Sequence, residues 1–336
     1  MTHLGRAVRA VVKPGAFLIV TYLTLGLPAR GYGQDSLDPD LTCQQAPAQL
    51  NGLCRDVIVG LQVFQAEAGL LLVGGNPVLG TASPIGTRFR FIPRLYLGAR
   101  INFVFVDVPN IIEPGSGGTL SFPAAMPQLD VSVGLFNGFS PGPTLGGLLA
   151  VELLGSLSAV ILPGGEGFQR NATGFGIGAR LGLVRESFTA PGISISGMYK
   201  WTNRVEFGDV SAGDAAQFSS DLKVLSLRGG ISKSFLFLGL AGGLGWDRYM
   251  SDVAFALRGP SGEKIEILPE SDRTGLTTER WSAFVDLSYI LLFFNIVGEL
   301  GWQETGKFEI PSTIDSTREE IESGNLFGAI GIRLSL

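Results

Sequence analysis

The chain has 336 residues, 45% of them hydrophobic and only 16% charged, with a formal charge of −5. Its mean hydropathy of +0.31 is high for a water-soluble protein, yet no stretch shows the roughly 20 uninterrupted apolar residues of a spanning helix. The acidic balance argues against a nucleic-acid partner, which needs a basic face.

Near the start, Arg6, Arg9 and Lys13 precede the apolar run GAFLIVTYLTLGL, and the small residues Gly31 and Gly33 precede Gln34. A positive segment, a short apolar segment and a small-residue cleavage site predict a secretory signal peptide over residues 1–33; the alternative is an uncleaved membrane anchor. Cleavage removes four of the 25 basic residues (Arg6, Arg9, Lys13 and Arg30) and no acid, leaving 21 basic and 30 acidic residues and a formal charge of −9. It also removes His3, the only histidine, so serine–histidine and histidine–aspartate mechanisms are unavailable to the mature chain. Cys43 and Cys54 are the only cysteines, and in an exported chain they predict one disulfide. Two cysteines without histidine make a poor metal site, and no cofactor is expected.

Residues 34–86 form a separate N-terminal piece. Asp35 to Leu53 is polar and contains proline, as a periplasmic linker pinned by the Cys43–Cys54 bridge would be. Val57, Leu61, Phe64 and Ala68 recur at helical spacing, which predicts a short helix over residues 56–68 that plugs a lumen or covers its periplasmic mouth. The alternative is one or two strands, including GLLLVGG. The stretch AGLLLVGGNPVLGTAS, residues 68–83, is similar to the N-terminal hatch of FadL-type fatty-acid transporters, where alanine, glycine and an Asn-Pro pair recur. That resemblance implies an outer-membrane barrel that passes apolar solutes.

From residue 88 the pattern changes. In RFRFIPRLYLGARINFVF the odd positions from Phe89 to Phe105 are all apolar, while the even ones include Arg88, Arg90, Arg94 and Arg100. A period of two is the period of a β-strand. A sandwich strand alternates between core and water; a transmembrane barrel strand alternates between lipid and lumen. The same alternation recurs at 127–136, 145–160, 173–183, 192–201, 224–234, 236–246, 280–290, 292–303 and 326–336, which makes ten strands. The connections alternate between long and short, as an up-and-down membrane barrel requires, with long loops outside and short turns in the periplasm. A Greek-key sandwich has no reason to obey that rule. This topology puts Trp201, Trp246, Trp281 and Trp302 at one outer rim, as an aromatic girdle. The last strand, LFGAIGIRLSL, resembles the C-terminal signal of bacterial outer-membrane barrels. That family usually ends in Phe or Trp where this chain has Leu336. The resemblance implies recognition by the barrel-assembly machinery.

The expected fold is therefore all-β: a closed, antiparallel, up-and-down transmembrane barrel over residues 87–336 in the outer membrane, its apolar face toward lipid. It has ten strands, or twelve if residues 34–86 add two. Its interior collects Arg88, Arg90, Arg94, Arg100, Asp130, Glu152, Arg180, Lys200, Arg228, Asp286 and Glu299. Buried charges of mixed sign need partners, so this set reads as an ion-pair network, or as a conduit whose arginines favour anionic groups. Inward glycines, including Gly174, Gly182, Gly239 and Gly245, leave room for a plug, for bulky neighbours or for a slim solute. GFGIGARLG lies inside a strand with no helix pattern after it, so it is not read as a nucleotide loop. Ten or twelve strands enclose a lumen near the size that side chains fill. Two functions remain: passage of a small or apolar solute without catalysis, and a structural or surface-interaction role with a closed interior.

Overall fold

The computed structural model describes residues 37–88, 92–109, 119–142, 145–160, 172–304 and 324–336. The expected signal peptide lies outside these residues. Ten antiparallel strands form the wall: β1 Leu95–Pro109, β2 Thr119–Phe136, β3 Ala150–Val160, β4 Ala172–Val184, β5 Gly192–Thr202, β6 Ala216–Phe235, β7 Leu238–Arg258, β8 Thr274–Leu291, β9 Phe294–Gln303 and β10 Asn325–Ser335. Each pairs with its neighbours in sequence. The sheet closes where β10 pairs with β1, from Phe327 opposite Val104 to Ser335 opposite Tyr96. Closure leaves the wall with no free edge.

The wall has ten strands, not twelve. Two further short strands, Val205–Phe207 and Lys264–Leu268, pair only with the far ends of β6 and β7. The GLLLV run belongs to a helix. A short helix, α1, spans Pro39–Cys43, and a long one, α2, spans Asn51–Val73. The expected helix over 56–68 is thus the middle of a longer one, about 34 Å long at 1.5 Å per residue. It is enclosed by the wall all round, so it needs no polar face, and this is why its last turn also read as a strand. It ends at Gly74, whose φ of +63° is favourable for glycine and whose N–H bonds Leu70 O at 2.9 Å. The Cys43–Cys54 disulfide joins α1 to the first turn of α2.

The first strand differs from its sequence reading. Thr87–Arg88 pairs with Ile92–Pro93 in a separate small ladder, and the wall begins only at Leu95. Pro93 lacks an N–H and cannot continue a two-sided ladder. Of the four arginines expected inside from this stretch, Arg100 is buried on the wall. Arg94 is exposed at the strand's base, Arg90 lies outside the described residues, and Arg88 sits in the small ladder before the barrel.

The connections between strands fall at two ends. At the turn end, residues 236–237 and 292–293 link strands by two residues, with Leu236 and Leu292 at positive φ as tight hairpins demand. The segment 137–149 at this same end is longer than expected, and β1 runs on to Pro109 while β2 starts at Thr119 rather than 127, which shortens the first long loop. At the loop end, β6, β7 and β8 project beyond the rest of the wall.

The outer face divides sharply along the barrel axis. Trp246 lies directly opposite Trp281 on β8, Trp302 pairs with Ala283 two residues away, and Trp201 stacks on Phe175 at 6.0 Å. Beyond them toward the loop end, the outward positions become charged: Lys223 bridges Asp252 at 2.7 Å and Arg248 faces Glu279 at 3.8 Å. Toward the turn end the outward row is apolar, through Leu227, Leu240, Val285, Leu287, Ile296 and Ile330, down to exposed Phe188, Phe235, Phe237 and Phe293. From Trp246 back to the start of β7 is about the ten residues of a transmembrane strand. The exterior thus has two aromatic rims around one apolar belt, the pattern of a barrel in lipid. Nitroxide labels at Leu181 and Leu287, both outward-facing and exposed, are expected to collide with oxygen and be shielded from a water-soluble relaxer, whereas a label packed against a second sheet would be shielded from both.

Candidate functional site

The lumen is the candidate site, and the chain fills it with its own N-terminal segment. Side-chain parity follows the sequence reading: even positions face inward on β1 to β6 and β8, odd ones on β7, β9 and β10. The interior has two storeys. Above the tryptophan rim, Phe218, Leu222, Val253, Phe255, Leu257 and Leu276 line an apolar chamber that packs on Val57, Leu61 and Phe64 of α2. Below the rim, the wall turns polar and meets the end of α2 and the segment 74–86.

That lower storey is held by charges, and their partners are mostly backbone. Lys200 Nζ donates to Leu72 O at 2.7 Å and Asn102 Nδ2 to Leu71 O at 2.9 Å, satisfying carbonyls that the end of α2 leaves open. Arg228 grips Asp247 with two nitrogens at 2.8 and 2.9 Å, and also donates to Gly75 O and Gly74 O, each at 2.9 Å. Arg100 pairs with Asp130 at 3.0 Å and donates to Asn76 O at 2.9 Å. Arg180 Nε binds Glu152 at 2.8 Å, while its other nitrogens reach Thr81 O and Ser83 O at 3.2 and 3.3 Å. Arg333 donates to Leu79 O.

The acids serve the opposite half of the peptide groups. Glu299 accepts from Gly75 N at 2.9 Å and Asn76 N at 2.6 Å. Asp286, directly across from Glu299 on the neighbouring strand, accepts from Asn76 Nδ2 at 2.6 Å and Gly80 N at 2.9 Å. Glu152 accepts from Ile85 N. Asn76 is central: its Oδ1 accepts from Val78 N at 3.1 Å, which closes a local turn of the Asx type.

Of the interior residues expected from sequence, Arg100, Asp130, Glu152, Arg180, Lys200, Arg228, Asp286 and Glu299 face the lumen together. Arg94 stays at its edge, donating to Ile85 O at 3.4 Å. The sequence reading omitted Asp247 and Arg333, although both lie on the inward parity of their strands. Asn76 was also outside the expected set, because its charged partners Asp286, Glu299 and Arg100 are remote or not adjacent in sequence. The inward glycines create room for the segment: a Cβ on Gly192 would come within 2.7 Å of Ser83 Cα, and one on Gly331 within 2.8 Å of Leu79. At Gly176 the neighbours are instead the Ser156 hydroxyl and the stem of Lys200.

At the loop end, Arg273 bridges Asp221 at 2.9 Å and Glu270 at 2.7 Å, and Arg204 joins Glu270 at 3.2 Å. Burial disfavours charge on Glu270, but the Ser219 hydroxyl and Arg273 outweigh it and hold the carboxyl below its usual range. This cluster is internally paired. Among the described residues, no group of three or more His, Cys, Asp or Glu side chains is placed to hold a metal ion.

A closed antiparallel sheet with an apolar exterior and a filled polar lumen is one of the two structures that can span a bilayer. The protein is a transmembrane β-barrel by architecture. No family model and no curated protein matches the chain. Among solved structures it is similar to the translocator domain of the autotransporter NalP from Neisseria meningitidis, at 13% identity and a TM-score of 0.38, over 86% of this chain and 99% of that one. It is similar also to the outer-membrane protease OmpT from Escherichia coli, at 10% identity and a TM-score of 0.38, over 73% and 96%. With the CymD monoaromatic hydrocarbon channel it shares 12% identity, with a TM-score of 0.27, over 83% and 97%. None of these three is named as a FadL-type transporter, so the likeness of residues 68–83 to that family gains no support here.

Loss of a buried hydrogen bond to a charged group costs about 1.5–3 kcal/mol. Glu299→Gln is therefore expected to speed hydrogen exchange at Gly75 and Asn76 by roughly 10- to 100-fold by that estimate. The heat-modifiable gel mobility of the wall should not change, and unchanged exchange would show that the carboxylate does not hold the segment.

Proposed function

We propose that the protein is an outer-membrane barrel sealed at rest by its own N-terminal segment, with a structural or surface-presenting role carried by the loop end. The observation that supports this most is the filling of the membrane-level lumen. Five cations and three acids of the wall bind the peptide groups of residues 72–85, so no continuous aqueous path is expected while that segment is in place. In this reading residues 1–33 act as a cleaved signal peptide, the loop end faces outward, and the four tryptophans form the outer girdle. Strand β10 serves as the recognition strand for the assembly machinery. The reading contains no catalytic step and no cofactor.

A second reading, passage of a small or apolar solute, has one observation in its favour. The wall pairs Arg180–Glu152, Arg228–Asp247 and Arg100–Asp130 do not depend on the plug. If the segment moved aside, the lumen left behind would be polar and still largely charge-compensated, which is a wall that water can wet.

Planar-bilayer recording separates the two. The intact protein is expected to show no steady conductance, and a form lacking residues 34–86 to show discrete openings. A Gly192→Leu variant, whose side chain collides with Ser83, is expected to flicker between these states. Steady conductance from the intact protein would overturn the sealed reading; silence from all three forms, with no solute uptake in proteoliposomes, would leave the structural role alone.

A further inference from the structure

The expected place of the bridged N-terminal piece is the periplasmic mouth, where the short turns lie. The contacts of the lumen-filling segment run the other way. Strand β7 serves as a ruler, since it runs from the turn end at Leu238 to the loop end at Arg258. The ring of Phe64 lies 5.7 Å from that of Phe218, which pairs with Phe255. Gln65 Nε2 donates to Ser251 Oγ at 3.0 Å. The carbonyls of Gly74 and Gly75 meet Arg228, which is clamped to Asp247. Gly80 N meets Asp286, the partner of Ala241, and Gly80 O accepts from Ser288, the partner of Gly239. As the chain number rises from 64 to 80, the level on β7 falls from 255 through 251, 247 and 241 to 239. The segment descends from the loop end to the turn end and delivers the chain to the start of β1.

The upper end of α2 follows from the same geometry. Asn51 precedes Phe64 by 13 positions in a continuous helix, about 20 Å of rise, whereas β7 continues only three residues beyond Phe255. The first turns of α2 therefore stand at or above the rim of the wall, and the Cys43–Cys54 bridge fastens α1 to them. Asp38, Leu41, Gln44, Gln45 and Gln49 are exposed on this cap.

We infer that the N-terminal cap, residues 37–54, lies on the same side of the membrane as the long connections, so that its bridged loop is part of the outer surface. The word "outer" rests on the orientation proposed above; the shared side does not. The barrel thereby holds its own chain across the membrane through the lumen.

Epitope insertions test this in the full-length protein on intact cells. One tag is placed immediately before Leu37, one in the 259–262 turn at the loop end and one in the 188–190 turn at the turn end. Heat-modifiable mobility confirms that each tagged protein has folded. The tags before Leu37 and at 259–262 are expected to bind impermeant antibody to the same extent, and the 188–190 tag only after the outer membrane is opened. An N-terminal tag that behaves like the 188–190 tag overturns the inference. If the first two tags are hidden together while the third is exposed, the shared side holds and the proposed orientation falls.

Discussion

The hydrogen bonds between lumenal charges and the plug's peptide groups solve two problems at once. A buried charge without partners is too costly to keep, and an irregular backbone segment inside a barrel carries N–H and C=O groups that hydrocarbon cannot satisfy. Arg228 shows the exchange in one side chain: two of its nitrogens neutralise Asp247, and two donate to carbonyls of Gly74 and Gly75. Asp286 and Glu299 do the converse for N–H groups on the same loop. A loop with no regular structure is thereby fixed at membrane depth.

The interior reverses the usual order of polarity. At the level of the apolar belt the core is charged, and above the aromatic rim, where the exterior is wet, the core is apolar. The upper storey is in effect a small soluble domain, with Phe218 packed against both Phe64 and Phe207, that sits on a membrane-embedded collar. Each storey anchors a different part of the same segment: dispersion and hydrophobic burial hold α2, and charge-assisted hydrogen bonds hold residues 72–85.

The wall was legible in the sequence because lipid and lumen impose a period of two on every strand, and the inward parity of Arg180, Lys200, Arg228, Asp286 and Glu299 followed from it. Where the pattern misled, a local rule had intervened. Alternation continued upstream through Phe89 and Phe91, but Pro93 breaks the ladder. Leu70 to Val73 carry no one-sided pattern, because a helix enclosed on every side needs none. The partners of the charges were also hidden: periodicity shows that Arg180 faces inward, yet Thr81 O and Ser83 O are backbone atoms that any residue type could supply. Nor does a helical period reveal the direction in which a helix traverses a tube. That became visible only through cross-chain contacts such as Gln65 with Ser251.

The closing seam joins β1, which follows the plug directly, to β10, the final strand, with Leu95 and Leu336 exchanging backbone bonds at its base. This pairing has the widest sequence separation in the wall, so the entropy of joining its ends makes it the slowest contact to form. The segment that occupies the interior is made before any strand of the sheet. A segment that docks on the open sheet before this seam pairs would be enclosed by closure itself, with no need for threading.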